Sequence, residues 1–241
     1  MENNVFQRHE VKFLVTQAQR EQLLGSIGQR LIPDAHGEST ICNIYYDTPD
    51  FRLIRRSLEK PSYKEKVRLR SYGPVHPEDT VFLELKKKYD GVVYKRRISI
   101  PEAWATAYMR GNLPQPRDSQ IGREIAYCCE FYKTLSPSVY LCYDRAAFYS
   151  AEDENLRITF DQNIRWRREN LSLQKQPGGR PLLEPGQLLL EIKTPTAMPL
   201  WLVKALSRAH IRQTSFSKYG QAYMTLLREN LEESRGICDA V

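Results

Sequence analysis

Polar and apolar positions alternate strictly between residues 64 and 70. Lys64, Lys66, Arg68 and Arg70 fall on one parity and Glu65, Val67 and Leu69 on the other. Residues i, i+2 and i+4 of a β-strand share a face, so this spacing predicts a strand with one cationic row and one mostly apolar row. The pattern recurs. Residues 80–88 set Phe82, Glu84, Lys86 and Lys88 opposite Val81, Leu83 and Leu85. Residues 92–100 set Val93, Lys95, Arg97 and Ser99 opposite Tyr94, Arg96, Ile98 and Ile100. Asp90-Gly91 between the two is a strong hairpin signal. Five further strands are predicted over 5–15, 40–46, 137–150, 156–161 and 188–194.

Helical spacing appears elsewhere. Thr16 is a candidate N-cap for a helix over 17–27, in which Leu23, Leu24 and Ile27 share a side. Residues 51–58 read as a short helix or turn, 101–110 and 119–135 as helices, and 200–209 and 217–232 as two more. Residues 33–37 and 174–179 read as loops. Eight strands in a mostly antiparallel series predict an α+β fold, an eight-stranded antiparallel β-barrel with helices packed outside. Without a convincing linker, residues 1–241 read as a single domain.

The helices decide which way the strands face. Their apolar stripes need an apolar sheet surface to cover, which turns Val67, Leu69, Leu83, Leu85, Ile98 and Ile158 outward. The charged rows then line the interior: Arg8, Lys12, Lys66, Arg68, Arg70, Lys86, Lys88, Lys95, Arg97, Arg145, Arg157 and Lys193, against Glu10, Glu84, Glu191 and Asp161. Charge of one sign is costly to enclose unless an anion compensates it. Arginines grip phosphate oxygens bidentately and lysines act as mobile point charges. The few carboxylates suit a divalent ion that bridges phosphates.

Composition agrees with an anionic ligand. The 241 residues carry a formal charge of +7, which favours nucleic acid, acidic membrane or a phosphorylated small molecule. Five cysteines, two of them adjacent (Cys128 and Cys129), match neither a disulfide framework nor metal-binding spacing. A polar amino terminus and the absence of any apolar run of roughly 20 residues lead to the expectation of a soluble, cytoplasmic protein. Arg165, Arg167 and Arg168 around Trp166 interleave basic and aromatic residues as a nucleic-acid patch would. They read instead as a surface strand end, and no nucleic-acid partner is expected.

In order along the chain, RHEVKF (8–13), IYYDT (44–48), KVRLR (66–70), ELKKK (84–88), YKRRI (94–98), YDR (143–145), LRITFD (156–161), LLLEIK (188–193) and SFSKYG (215–220) resemble the VTC domain. This is the polyphosphate polymerase module within the triphosphate tunnel metalloenzymes. The resemblance implies a stand-alone form of that module, which transfers the γ-phosphate of ATP to a polyphosphate end with Mn²⁺ or Mg²⁺. By position it implies Arg68, Arg70, Lys86, Arg145 and Arg157 as the residues on the reacting phosphates. Arg8, Lys12, Lys66, Lys95, Arg97, Tyr143, Lys193, Ser217 and Lys218 are further phosphate or nucleotide contacts, Glu191 is the metal ligand, and Glu10 is a weaker one. Partners would be ATP, polyphosphate or other polyphosphorylated anions, with a membrane protein as a possible recipient of product. Hydrolases of the superfamily begin with Glu-x-Glu-x-Lys, whereas this chain has Arg8, Glu10 and Lys12, which weakens a hydrolase reading. A triphosphate or nucleotide hydrolase and a non-enzymatic polyphosphate or inositol-phosphate sensor are the alternatives on the same fold.

Overall fold

The computed structural model describes residues 9–90, 92–114 and 119–238, with side chains omitted at 36 and 233–238; Arg8 lies outside the described residues. The strands are β1 (His9–Thr16), β2 (Leu31–Asp47), β3 (Tyr63–Tyr72), β4 (Thr80–Tyr89), β5 (Val92–Pro101), β6 (Ser136–Ser150), β7 (Arg157–Arg167), β8 (Arg180–Pro181), β9 (Gln187–Thr194) and β10 (Gln213–Thr214). The helices are α1 (Gln17–Ile27), α2 (Arg52–Leu58), α3 (Glu102–Met109), α4 (Gln120–Tyr132), α5 (Leu200–Arg208) and α6 (Lys218–Cys238).

Among the described residues the expected closed eight-stranded barrel does not form. Ten strands make one open sheet in the order β10-β1-β9-β7-β6-β2-β3-β4-β5, with β8 attached to β7. The reason lies at the edge of β1: β10 pairs there with Lys12 and Phe13, taking backbone groups that a closing β5 would need. The two ends of the curved sheet approach through side chains instead. Lys86 Nζ on β4 lies 3.6 Å from Glu10 Oε2 on β1. Residues 33–37, expected to be a loop, belong to β2, where the pairing with β6 breaks register between Pro33 and Glu38.

The apolar rows face the convex side as expected. Val67, Leu69, Leu83 and Leu85 are fully buried and share one core cluster with Ala105, Tyr108 and Met109 of α3 and Ile125, Cys128 and Tyr132 of α4. On the other half, Phe13, Val15, Ile158, Leu190 and Ile192 pack with Leu23 and Ile27 of α1 and with Leu202 and Leu206 of α5. Each such side chain contributes about 1.5–3 kcal/mol by leaving water. A one-residue slip of β3 would put Lys66 and Arg68 there instead, so the register is strongly specified. Glu65, on the apolar parity, is buried, and among the described residues no cation pairs with it. Tyr63 and Tyr132 both donate to it, at 2.8 and 2.7 Å. Thr16 caps α1 with a full capping box.

One helix departs from the expected outside placement. Tyr219, Ala222, Tyr223 and Leu226 of α6 pack with Ile41, Tyr45, Val139, Leu141, Tyr143 and Leu189. These share the parity of the charged rows, so α6 covers one end of the concave face. Asp47 anchors it there. Its carboxylate accepts the backbone N–H groups of Thr48, Leu53 and Ile54, which caps α2, and also the Tyr219 hydroxyl at 2.8 Å. Gly220 permits the approach of α6 to α2, because a Cβ at this position would lie 3.1 Å from Leu58 Cδ2.

Candidate functional site: a cationic groove

The concave face gathers its charges around three buried carboxylates, Glu84, Asp161 and Glu191. Glu84, at the centre of β4, has a side chain only 1% exposed. Arg68 Nε donates to it at 2.7 Å and Arg68 Nη2 lies at 2.7 Å. Lys95 Nζ and Arg97 Nε, both from β5, reach its other oxygen at 2.9 and 3.1 Å. Burial alone would raise the carboxyl pKa, but Arg68, Arg70 and Lys95 outweigh it and hold it far below the usual carboxylate range. Arg97 also lies 3.6 Å from the centroid of the Phe82 ring.

The second carboxylate is Asp161 on β7. Arg145 grips it bidentately at 2.6 and 2.7 Å, and Lys218 Nζ of α6 lies at 2.5 Å. Glu191 on β9 stands beside it, hydrogen-bonded by Lys218 at 3.0 Å and approached by Lys12 and Arg145 at 3.5 Å and Lys193 at 3.8 Å. Burial would raise Glu191, but Lys218, Lys12, Lys193 and Arg145 carry it well below the ordinary carboxylate value. Burial likewise opposes the charge on Lys218, but Asp161 and Glu191 prevail and raise its pKa. Glu10 is close by. Lys12 Nζ lies 3.1 Å from Glu10 and 3.5 Å from Glu191, so the two carboxylates open on a common space. Lys86 and Lys12 overcome the burial of Glu10 and hold it at about 2.

Two cations are less committed. Arg70, 8% exposed, donates to the Asn43 side-chain oxygen at 2.9 Å and to the Tyr143 hydroxyl at 3.3 Å, with Glu84 no nearer than 4.0 Å. Lys66 donates to Ser217 Oγ at 3.0 Å. Its pKa is brought down to about 7 by burial first and then by the like charges of Lys86, Lys12, Lys64 and Arg68. Ser217 Oγ also accepts from Gly220 N at 3.1 Å, capping the first turn of α6, and Lys12 donates to Phe216 O at 3.1 Å. The start of α6 is thus tied to both walls of the groove.

Of the residues expected from sequence, Lys12, Arg145, Tyr143, Lys193, Lys218, Glu191 and Glu10 converge at the β1, β6, β7 and β9 wall. Arg68, Arg70, Lys95 and Arg97 converge around Glu84, and Lys66 and Ser217 meet between the walls. Lys86 bridges the seam to Glu10. Arg157 is tied to Asp34 on β2, with its side chain 42% exposed. Arg96, on the opposite parity, pairs with Glu124 of α4 at 3.1 Å on the convex side. Trp166 is 1% exposed beneath Arg180, whose guanidinium lies 4.6 Å from the ring centroid.

Sequence reading overlooked Asn43 and Tyr45. Tyr45 accepts from Arg68 at 3.1 Å and stacks on Tyr219 at 4.7 Å between centroids. Carrying the two-residue alternation through residues 41, 43 and 45 would have found both.

A family model for the VTC domain matches residues 7–227. The chain belongs to the VTC domain family. Two relatives of this VTC domain are vacuolar transporter chaperone complex subunit 4 of Trypanosoma brucei brucei, 25% identical over 236 residues, and of Schizosaccharomyces pombe, 24% identical over 241 residues. Each alignment covers 82% of this chain but 30% and 33% of the relative, so the VTC domain chain spans about a third of the length of the curated relatives it matches. Among solved structures, a Bacillus halodurans protein provisionally assigned as an adenylate cyclase has a TM-score of 0.53 at 13% identity, over 88% of this chain and 96% of that one. That likeness is one of fold.

Proposed function

We propose that this VTC domain is a metal-dependent polyphosphate polymerase that transfers the ATP γ-phosphate to a polyphosphate end held in the groove. The observation that carries this reading is the excess of concave-face cations over carboxylates. Arg70 and Lys66 in particular are directed inward with no hydrogen-bonded carboxylate of their own. A row of like charges at the spacing of a pleated sheet complements a ligand with a repeated negative charge.

Phosphoryl transfer demands positioning and charge neutralisation more than a protein nucleophile. Arg70, held by Asn43 and Tyr143, presents a preformed fork to phosphate oxygens. Lys12, Lys66 and Lys86 line the route between the walls as point charges, and Lys218 and Arg145 bring further charge from the opposite side. The terminal oxygen of the polymer attacks the γ-phosphorus, the bond to the β-bridging oxygen breaks, and ADP leaves with that oxygen.

Among the described residues no group of three or more His, Cys, Asp or Glu side chains is placed to hold a metal. Glu10 and Glu191 nonetheless share the space occupied by Lys12 Nζ. Two hard carboxylates, with phosphate oxygens and water completing the shell, suit Mg²⁺ or Mn²⁺. Glu10 and Glu191 would hold such an ion, and it would neutralise charge on the phosphates.

Incubating purified protein with ATP and Mn²⁺ tests the proposal. ADP and long polyphosphate are expected. Orthophosphate as the sole phosphate product would favour a hydrolase, and anion binding without turnover a sensor. Among the described residues no helix is long and apolar enough to cross a membrane.

A further inference from the structure

The groove holds more internal ion pairing than tight anion binding calls for. Glu84 and Asp161, with side chains 1% and 0% exposed, take up the guanidinium forks of Arg68 and Arg145 together with Lys95, Arg97 and Lys218. These are the donors a phosphate would use. Both carboxylates are held by protein cations from neighbouring elements. They lie on different walls, Glu84 reached from β3 and β5 and Asp161 from β6 and α6.

We propose that Glu84 and Asp161 are built-in counter-anions that limit how tightly the groove grips polyphosphate, so that the chain slides along it instead of being trapped. The proposal rests on polyphosphate being the ligand. A polymer of identical charges advances only if each phosphate leaves one set of cations as readily as it enters the next, the requirement that also governs ion conduction through pores. A carboxylate already beside the arginine takes it back as the phosphate departs, so the vacated cation is never left unpaired in a buried site. Glu84 thereby acts as a specificity-determining residue: it disfavours a single tightly held anion relative to a moving chain.

The test is the release rate of fluorophore-labelled polyphosphate, chased with excess unlabelled polymer, from the wild type, Glu84→Gln and Glu84→Asp, with melting temperatures alongside. A unit charge within a few ångströms of a phosphate is worth at least about a factor of ten at protein-like dielectric. Glu84→Gln is therefore expected to melt lower without ligand yet release polyphosphate about tenfold more slowly, while Glu84→Asp behaves as wild type. A merely structural glutamate predicts the opposite direction. Release from folded Glu84→Gln at the wild-type rate or faster overturns the proposal. If Glu84→Gln does not fold, the charge-balanced double variant Glu84→Gln/Arg97→Gln decides: release at about the wild-type rate supports the counter-anion role, and clearly faster release overturns it. No binding of labelled polyphosphate by wild-type protein would instead refute the functional reading, and this proposal with it.

Discussion

Lys66 offers a quantitative handle on the groove. Burial and then four neighbouring cations bring its ammonium down to about 7, and its hydrogen bond goes to the neutral Ser217 hydroxyl. A bound polyphosphate would supply the missing counter-charge and return the pKa toward the ordinary lysine value of about 10.4. Binding at pH 7 should therefore draw about half a proton onto Lys66. Above pH 7 the Lys66 contribution to the association constant should fall with a slope approaching tenfold per unit, or about 50-fold between pH 7 and 9. The ligand's own ionisation pushes the other way, so the decline is diagnostic of the protein. Lys66→Arg keeps the charge and removes the titration. Lys95 and Lys193, brought to about 8 chiefly by burial, add a decline of their own that begins about one unit higher, so the difference between wild type and Lys66→Arg isolates the Lys66 part. Calorimetric titration of tripolyphosphate at pH 7 and 9, in buffers of different ionisation enthalpy, measures both affinity and proton uptake. The reasoning is refuted if Lys66→Arg shows the same uptake and the same pH slope as wild type. Stability follows the same linkage. Between about 7 and the unfolded value the unfolded chain holds the proton that the folded one lacks, so the Lys66 contribution to stability rises with pH across that window.

Further outcomes follow from individual contacts. Arg70→Ala should weaken tripolyphosphate binding by about 1.5–3 kcal/mol, the range for a charged hydrogen bond, which titration would record as a loss of roughly tenfold to a hundredfold; a change under twofold would remove Arg70 from the ligand site. Glu191→Gln should abolish metal-dependent turnover while sparing anion binding, and retention of both would exclude Glu191 as a metal ligand. Tyr219→Phe removes the donor to Asp47 and should lower unfolding free energy by about 1 kcal/mol in urea titration, with no change expected if α6 is not anchored there.

The charged face was legible because a strand sorts residues by parity. Lys66, Arg68 and Arg70 separate from Val67 and Leu69 without knowledge of the partner strands, and two helices with apolar stripes suffice to tell which row is enclosed. Closure was not legible. β10 consists of two residues, Gln213 and Thr214, too short to produce periodicity, yet it takes the edge of β1 that a barrel would need. The stripe of Tyr219, Ala222, Tyr223 and Leu226 predicts a helix but fits an apolar patch on either side of the sheet. Only the depth of Asp47, reached by the Tyr219 hydroxyl, puts α6 on the concave side. Parity also places Glu84 and Asp161 inside without indicating how many cations reach them, since that depends on residues 13 positions away (Arg97) and 57 positions away (Lys218) in sequence.

The central claim is the destination of the γ-phosphate. Following ATP, Mg²⁺ and the purified protein by phosphorus NMR should show the γ resonance replaced by that of interior polyphosphate residues, with ADP accumulating in step. Growth of orthophosphate alone, or an unchanged spectrum, would contradict the account.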